Sequence, residues 1–302
     1  MDLILYHGSC PDGWCAAYIA QKRYLEAQLR GLTHGQNYTG VITECMNRDV
    51  LMVDFSFPTR ELNDSLAKIA KSFRILDHHK TAQAVLEGAS YATFDMRRSG
   101  AGLAWDYLFG KDSFAGDAAT HFPQSRPWWV DYTEDQDLWN WALPESQPIN
   151  AFLMVQPRTI EAWDSIVRMS AENACFKGEG VRQYIEYYTR SVLELVELGV
   201  LDGHSTGVLN IPYVGVSEAG NAIVKLGYDV ALAWHESNGG RIKFSLRSNK
   251  EGANVDVSAI AKKFGGGGHQ NAAGFELHIE AGRRLVDQVL RRDRHAPIAR
   301  CC

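Results

Sequence analysis

The chain has 302 residues, 45% of them hydrophobic, 22% charged and 11% aromatic, with a formal net charge of −5. This ordinary globular composition excludes disorder and fibrous repeats, and the length suits two domains at about 150 residues each. The balance of 31 basic against 36 acidic residues argues against a broad nucleic-acid-coating surface and leaves room only for a local basic site. No apolar run approaches the roughly 18 residues of a membrane span. The opening MDLILYH lacks a basic region and is too short for a signal peptide, so a cytoplasmic protein with no membrane partner is expected. The six cysteines, Cys10, Cys15, Cys45, Cys175, Cys301 and Cys302, form no C-x-x-C pair and are expected to stay thiols.

Taken in order, Leu3–Tyr6 is a short apolar run ending at His7, followed by the turn Gly8-Ser9-Cys10-Pro11-Asp12-Gly13. An Ala-rich helix is expected from about Trp14 to Arg30. A second run, Leu51-Met52-Val53, ends at Asp54. Glu61–Lys71 has helical period, with Leu62, Leu66, Ile69 and Ala70 on one face. A third run, Phe73–Leu76, ends in Asp77-His78-His79. Ser99 is placed to cap a helix reaching Phe109, with Gly110 as its stop. A stretch rich in Trp and Asp, Trp128–Trp141, precedes Pro144; Trp128, Trp129, Trp139 and Trp141 are read as mostly core. Gln183–Leu198 reads as a helix and Gly203–Gly207 as the break after it. Strands are expected at Val208–Val216, Val230–His235, Ile242–Leu246 and Phe275–Ile279, and a helix at Val255–Phe264. Short strands alternating with helices give an α/β protein with a parallel sheet, and the domain boundary is placed at the Gly203–Gly207 break.

Three strands of the first 80 residues end in an imidazole or carboxylate, and in open parallel sheets ligands bind beyond the carboxyl ends of the strands. His7, Asp12, Asp54, His78 and Asp135 form a donor set for Mn²⁺, Fe²⁺ or Zn²⁺ rather than Ca²⁺. Such a cluster needs a cation to stay ionised, and the cation would make a hydroxide nucleophile available near neutral pH. The segment GGGGHQNAAG, Gly265–Gly274, is read as an anion-binding loop, with His269 as a side-chain donor and Arg247 as a cationic partner. Gly203-His204-Ser205-Thr206-Gly207 matches G-x-S-x-G, but the expected helix-then-strand order reverses what a nucleophile elbow requires. Arg291-Arg292-Asp293-Arg294 reads as a solvated helix face or tail.

Asp77-His78-His79 followed by GGGGHQNAAG resembles the DHH phosphoesterase superfamily with a C-terminal DHH-associated domain. The opening YHGSCPDGWCAA, the VDFS at Asp54 and EDQDLW near residue 135 resemble an oligoribonuclease-like or phosphohydrolase subgroup. The resemblance implies a parallel-sheet catalytic domain over 1–175, a linking helix over 176–202 and a smaller mixed α/β DHH-associated domain over 203–302, with the active site in the cleft. It implies that His7 and Asp12 hold one metal, that Asp54 bridges two, and that His78 and Asp135 hold the second. Asp77 would orient a neighbouring ligand, and His79 would contact the scissile phosphate. Gly267, Gly268 and His269, with Arg247, would bind substrate. The cofactor implied is Mn²⁺, one or two ions, with Mg²⁺ or Co²⁺ also open. Two departures from the family pattern stand out. Trp14 occupies the place of a second aspartate, and Asp137 competes with Asp135 as the ligand.

The function expected is hydrolysis of short single-stranded RNA or DNA, or of linear dinucleotides. The modest net charge suits a short substrate. The alternatives are cyclic or phosphorylated mononucleotides, or a non-catalytic nucleotide sensor motivated by Trp14. A homodimer is left open.

Overall fold

The computed structural model describes residues 1–110, 125–250 and 253–291. Cys301, Cys302 and the stretch Arg292-Asp293-Arg294 lie outside the described residues. The chain divides into two compact units, 1–183 and 184–302.

The first unit opens with β1 (Leu3–His7), α1 (Pro11–Arg23), β2 (Gln28–Leu32), α2 (Thr39–Glu44), β3 (Asp49–Val53), α3 (Arg60–Ile69), β4 (Ser72–Asp77), α4 (Lys80–Val85) and β5 (Ala92–Phe94). Helices α5 (Gly100–Phe109), α6 (Trp128–Asp137), α7 (Ser146–Met154) and α8 (Ile160–Ile166) follow, and α9 (Ala171–Leu193) carries the boundary between the units. The five strands form a parallel sheet in the order β2-β1-β3-β4-β5. Its central strands are buried on both faces, which is why they read as continuous apolar runs. Alternate residues serve opposite layers. Ile4, Leu51, Val53 and Leu76 join the cluster around Trp14, Tyr18 and Trp129, whereas Leu3, Leu5, Val50, Met52 and Ile75 join the one around Val41 and Leu66.

The second unit contains β6 (Glu197–Leu201), β7 (His204–Asn210), α10 (Val216–Lys225), β8 (Val230–Ser237), β9 (Arg241–Ser248), α11 (Val257–Lys263), β10 (Gly267–His269), β11 (Ala272–His278) and α12 (Ile279–Val289). These strands make a mixed six-stranded sheet in the order β10-β11-β9-β8-β7-β6, in which β7 and β8 run parallel. Leu209, Ala231 and Ala233 pack with Ala219 and Ile223 of α10, while Val208, Leu232, Phe244 and Phe275 join Val257, Ile260 and Leu285. The expected α/β architecture is the one observed.

Several expected boundaries shift. The first helix ends at Arg23, and Gln28–Leu32 is the edge strand β2. The helix expected over Gln183–Leu198 runs from Ala171 to Leu193, and Glu197–Leu201 pairs with β7 as a strand. Val208–Val216 proves too long a strand, because β7 ends at Asn210 and Val216 opens α10. The glycine-rich segment contains the β10–β11 hairpin, closed at Gln270-Asn271. Ser205 lies within β7 after the turn Asp202-Gly203, so G-x-S-x-G sits on a strand–turn–strand and makes no nucleophile elbow. Among the described residues no helix is long and apolar enough to cross a membrane.

Candidate metal centre

Parallel pairing brings β1, β3 and β4 side by side, with Tyr6 opposite Val53 and Val53 opposite Leu76. Their carboxyl ends therefore deliver His7, Asp54 and Asp77-His78-His79 to one edge of the sheet. Asp54 follows β3 with φ +53°, a left-handed conformation that costs a non-glycine residue of order 1 kcal/mol or more. Its backbone N–H donates to Leu76 O at 2.9 Å. Two glycines let the surrounding chain close on this residue. A Cβ at Gly13 would lie 2.3 Å from His7 O and 2.9 Å from Asp54 Oδ2, and one at Gly100 would lie 2.4 Å from Asp54 Cβ.

Asp12 stands in the first turn of α1, behind Pro11. Its carboxylate accepts hydrogen bonds from the N–H groups of Gly100 at 2.6 Å and Ala101 at 3.0 Å, at the start of α5. The start of α5 is fixed in turn by Glu134, which accepts from Ser99 N and pairs with Arg98 and Arg126. His78 Nε2 lies 3.1 Å from Asp54 Oδ1, 3.5 Å from Asp137 Oδ2 and 3.7 Å from Asp12 Oδ2. Asp77 accepts from Ser56 Oγ at 2.5 Å and the His78 N–H at 2.7 Å, and its Oδ1 lies 2.6 Å from His79 Nδ1.

Titration follows from this crowding. Burial, then the Asp137 and Asp54 charges, push Asp12 well above the usual carboxylate range. Burial also raises Asp54, but contact with His7 and His78 outweighs it and holds this carboxyl well below the ordinary value. Burial would lower His78, yet Asp137, Asp54 and Asp12 together carry it well above the ordinary imidazole. The same contest raises His79, through Asp77, and brings Asp77 down to about 2.

Three donor sets share Asp54. His7, Cys10 and Asp54 form one, Asp12, Asp54 and His78 another, and Asp54, Asp77 and His79 the third, with the donor atoms of each set within 4.8 Å of one another. Buried His7 Nδ1, Asp54 Oδ2 and Asp137 Oδ2 make no hydrogen bond among the described residues, and such atoms are costly unless a cation completes them. The residues present therefore fit divalent ions.

Of the expected ligands, His7, Asp12, Asp54 and His78 are brought together. Asp135 is not: its carboxylate accepts from Ala142 N, Leu143 N and Ser146 Oγ, tying the turn after α6 to α7. Asp137, two residues on, is the carboxylate that faces His78. Trp14 points into the core against Tyr6 and Trp163, so its position adds no donor. Two neighbours escaped the sequence reading. Cys10 looked like any unpaired thiol, and only its place between His7 and Asp12 in the chain hinted at the site. His34 stacks on Phe55 at 4.7 Å and meets His7 edge-on at 5.1 Å. Loss of water around its ring, then the His7 and His79 charges, lower it to about 3, although the residue keeps exposed surface.

In the second unit, His269 opposes Ala272, and Ala272 opposes Arg247, so these side chains share one row of the sheet. Arg247 donates to Leu246 O at 2.9 Å and Ser217 Oγ at 2.8 Å, and makes no ion pair among the described residues. Loss of water around its guanidinium lowers its pKa. The glycines serve hairpin packing: a Cβ at Gly266 would lie 2.1 Å from Gly274 O, and one at Gly268 (φ +138°) 2.6 Å from Ala272 O.

Residues 217–292 match the DHHA1 domain. The chain is 26% identical over 303 residues to an uncharacterized protein of Acanthamoeba polyphaga mimivirus, covering 91% of this chain and 67% of that one. It is similar in structure to RecJ from Thermus thermophilus in complex with Mn²⁺, with a TM-score of 0.55 and 16% identity, over 96% of this chain and 51% of that one. It is also similar to PggH of Vibrio cholerae, a pGpG-specific phosphodiesterase, with a TM-score of 0.50 and 10% identity, over 97% and 98% of the two chains. Residues 217–292 thus match a DHHA1 domain, and with the Asp77-His78-His79 motif at the end of β4 the chain resembles the DHH phosphoesterase superfamily.

Proposed function

We propose that the protein is a divalent-metal-dependent phosphodiesterase that hydrolyses short oligonucleotides or linear dinucleotides. The observation that carries this reading is the convergence of donor sets on Asp54 at the carboxyl edge of the parallel sheet, His7–Cys10–Asp54 and Asp12–Asp54–His78 among them. Support comes from the DHHA1 match and from a fold shared with RecJ and a pGpG-specific phosphodiesterase.

In this reading His7, Asp12, Asp54, His78 and Asp137 hold the ions, Mn²⁺ first among the candidates. Ions bound there supply charge neutralisation at the phosphoryl group and lower the pKa of water. His79, its pKa raised by Asp77 beside it, donates to phosphoryl oxygens as charge builds on them. Asp77 acts through His79, fixing its ring and its charge. His269 and Arg247, on one row of the second sheet, take an anionic or polar part of the substrate that does not react, and Gly267 and Gly268 let the hairpin backbone carry His269 there.

The test is Mn²⁺-dependent cleavage of 5′-labelled RNA from two to about twenty nucleotides, the longest spanning one or two single-strand sites, with EDTA as the control. Metal-dependent cleavage that is strongest on the shortest chains supports the proposal. Equal cleavage at every length points to a general single-strand exonuclease. No cleavage of any chain overturns the oligonucleotide reading and directs the search to cyclic or phosphorylated mononucleotides.

A further inference from the structure

We propose that Cys10 is a metal ligand through Sγ, making the first of the two ion sites a His–Cys–Asp site that takes sulfur-tolerant ions such as Zn²⁺, Fe²⁺ or Co²⁺ in preference to Mg²⁺. The inference rests on the metal-centre reading above and concerns which ion that centre takes.

Three observations converge. Sγ of Cys10 lies within 4.8 Å of donor atoms of both His7 and Asp54. Those two residues face a common gap: His7 Nδ1 and Asp54 Oδ2 are buried, lie 3.5 Å apart, and make no hydrogen bond among the described residues. The other ring nitrogen of His7 is engaged, with Nε2 lying 3.2 Å from Ser9 Oγ. A hydrogen bond donated there leaves the Nδ1 lone pair directed inward, as outer partners of metal-bound histidines do. Cys10 is also locally fixed. It precedes α1, its side chain caps no helix N–H, and its carbonyl accepts from Trp14 N at 3.2 Å.

On binding, the S–H bond breaks, a sulfur–metal bond forms, and one proton passes to water for each ion taken up. Thiolate favours the later, softer divalent ions, whereas an all-oxygen site suits Mg²⁺ and Mn²⁺. The second set, Asp12, Asp54 and His78 with Asp137 beside it, contains no sulfur. The two positions would therefore differ in the ion they hold.

The experiment is a Co²⁺ titration of the metal-free full chain followed by absorption. Wild type should develop both the visible bands of protein-bound Co²⁺ and a near-ultraviolet sulfur-to-cobalt charge-transfer band. The nearly isosteric Cys10→Ser should keep visible bands, lose the charge-transfer band, and bind Zn²⁺ roughly 10-fold or more weakly in competition, since even an outer partner of a ligand is worth that much. Cys10→Asp should bind Mn²⁺ at least as well as wild type, with no charge-transfer band. Visible bands in wild type without charge transfer overturn the Cys10 assignment and leave the metal centre standing. A charge-transfer band that survives in Cys10→Ser assigns the sulfur elsewhere and also overturns it. Absence of any Co²⁺ uptake defeats the metal-centre reading itself.

Discussion

The edge of the parallel sheet and the glycine-rich hairpin of the mixed sheet carry the chain's two most conspicuous motifs, yet they are built in opposite ways. At the sheet edge, polar atoms are buried ahead of any partner, one carboxylate sits in a left-handed backbone, and like charges crowd together. In the hairpin, the glycines are consumed by ordinary strand pairing, and the donors His269 and Arg247 project from a settled sheet. The difference lies in electrostatic demand that packing leaves unmet at the sheet edge and meets in the hairpin. A motif whose peculiarities packing already explains is better read as a binding surface.

The largest expected effect breaks this contrast on its demanding side. Asp54→Ala and His78→Ala should each lower kcat about 1,000-fold, roughly 4 kcal/mol of transition-state stabilisation, with far-ultraviolet circular dichroism unchanged; near-normal turnover in either variant would refute the metal assignment. Gly13→Ala, whose added carbon meets His7 O at 2.3 Å, should cost about 1–3 kcal/mol of stability, measured by urea unfolding, and should loosen metal binding with it. A fully stable variant would show that the close approach is not required.

Next comes a pH test. Asp77 is depressed to about 2 in the folded chain, so its contribution exists above the unfolded carboxyl pKa and is lost as pH falls from about 4 toward 2. In the metal-free protein, Asp77→Asn should therefore remove about 2 kcal/mol from the acid-side decline of stability. An unchanged decline between those pH values would contradict the His79–Asp77 pairing. On the hairpin side, His269→Ala should raise KM about 10-fold, the worth of one hydrogen bond to a charged group, with kcat almost constant. A fall in kcat at constant KM would move His269 into the chemistry. The smallest effect belongs to Ser205→Ala, which should leave turnover within about twofold, as expected for a surface substitution.

What the sequence disclosed follows the same division. The β1, β3 and β4 runs were legible because strands buried on both faces read as unbroken apolar stretches, and their polar endings marked the site. Strand β2 was not, since Gln28, Gly31 and Arg30 lie at or near the solvent on an edge strand and carry no hydrophobic pattern. β6 was hidden by the helical run before it, which ends at Leu193. Asp135 and Asp137 could not be separated by spacing, because the choice depends on a turn after α6 in which Trp139 and Trp141 adopt positive φ. Within that turn Asp135 is spent on backbone amides, and Asp137 faces His78. Trp14 looked like a lost ligand because the pattern carries residue types and not side-chain directions. Its indole belongs to the core, with Tyr6 and Trp163.

The left-handed backbone at Asp54 has a consequence for how this protein can drift. Glycine occupies φ near +53° with little strain, and asparagine with less than most residues. Asp54→Gly would remove that strain, but it would also leave His7 and His78 without the carboxylate they pair with. Backbone strain and side-chain pairing therefore pull in opposite directions at this position.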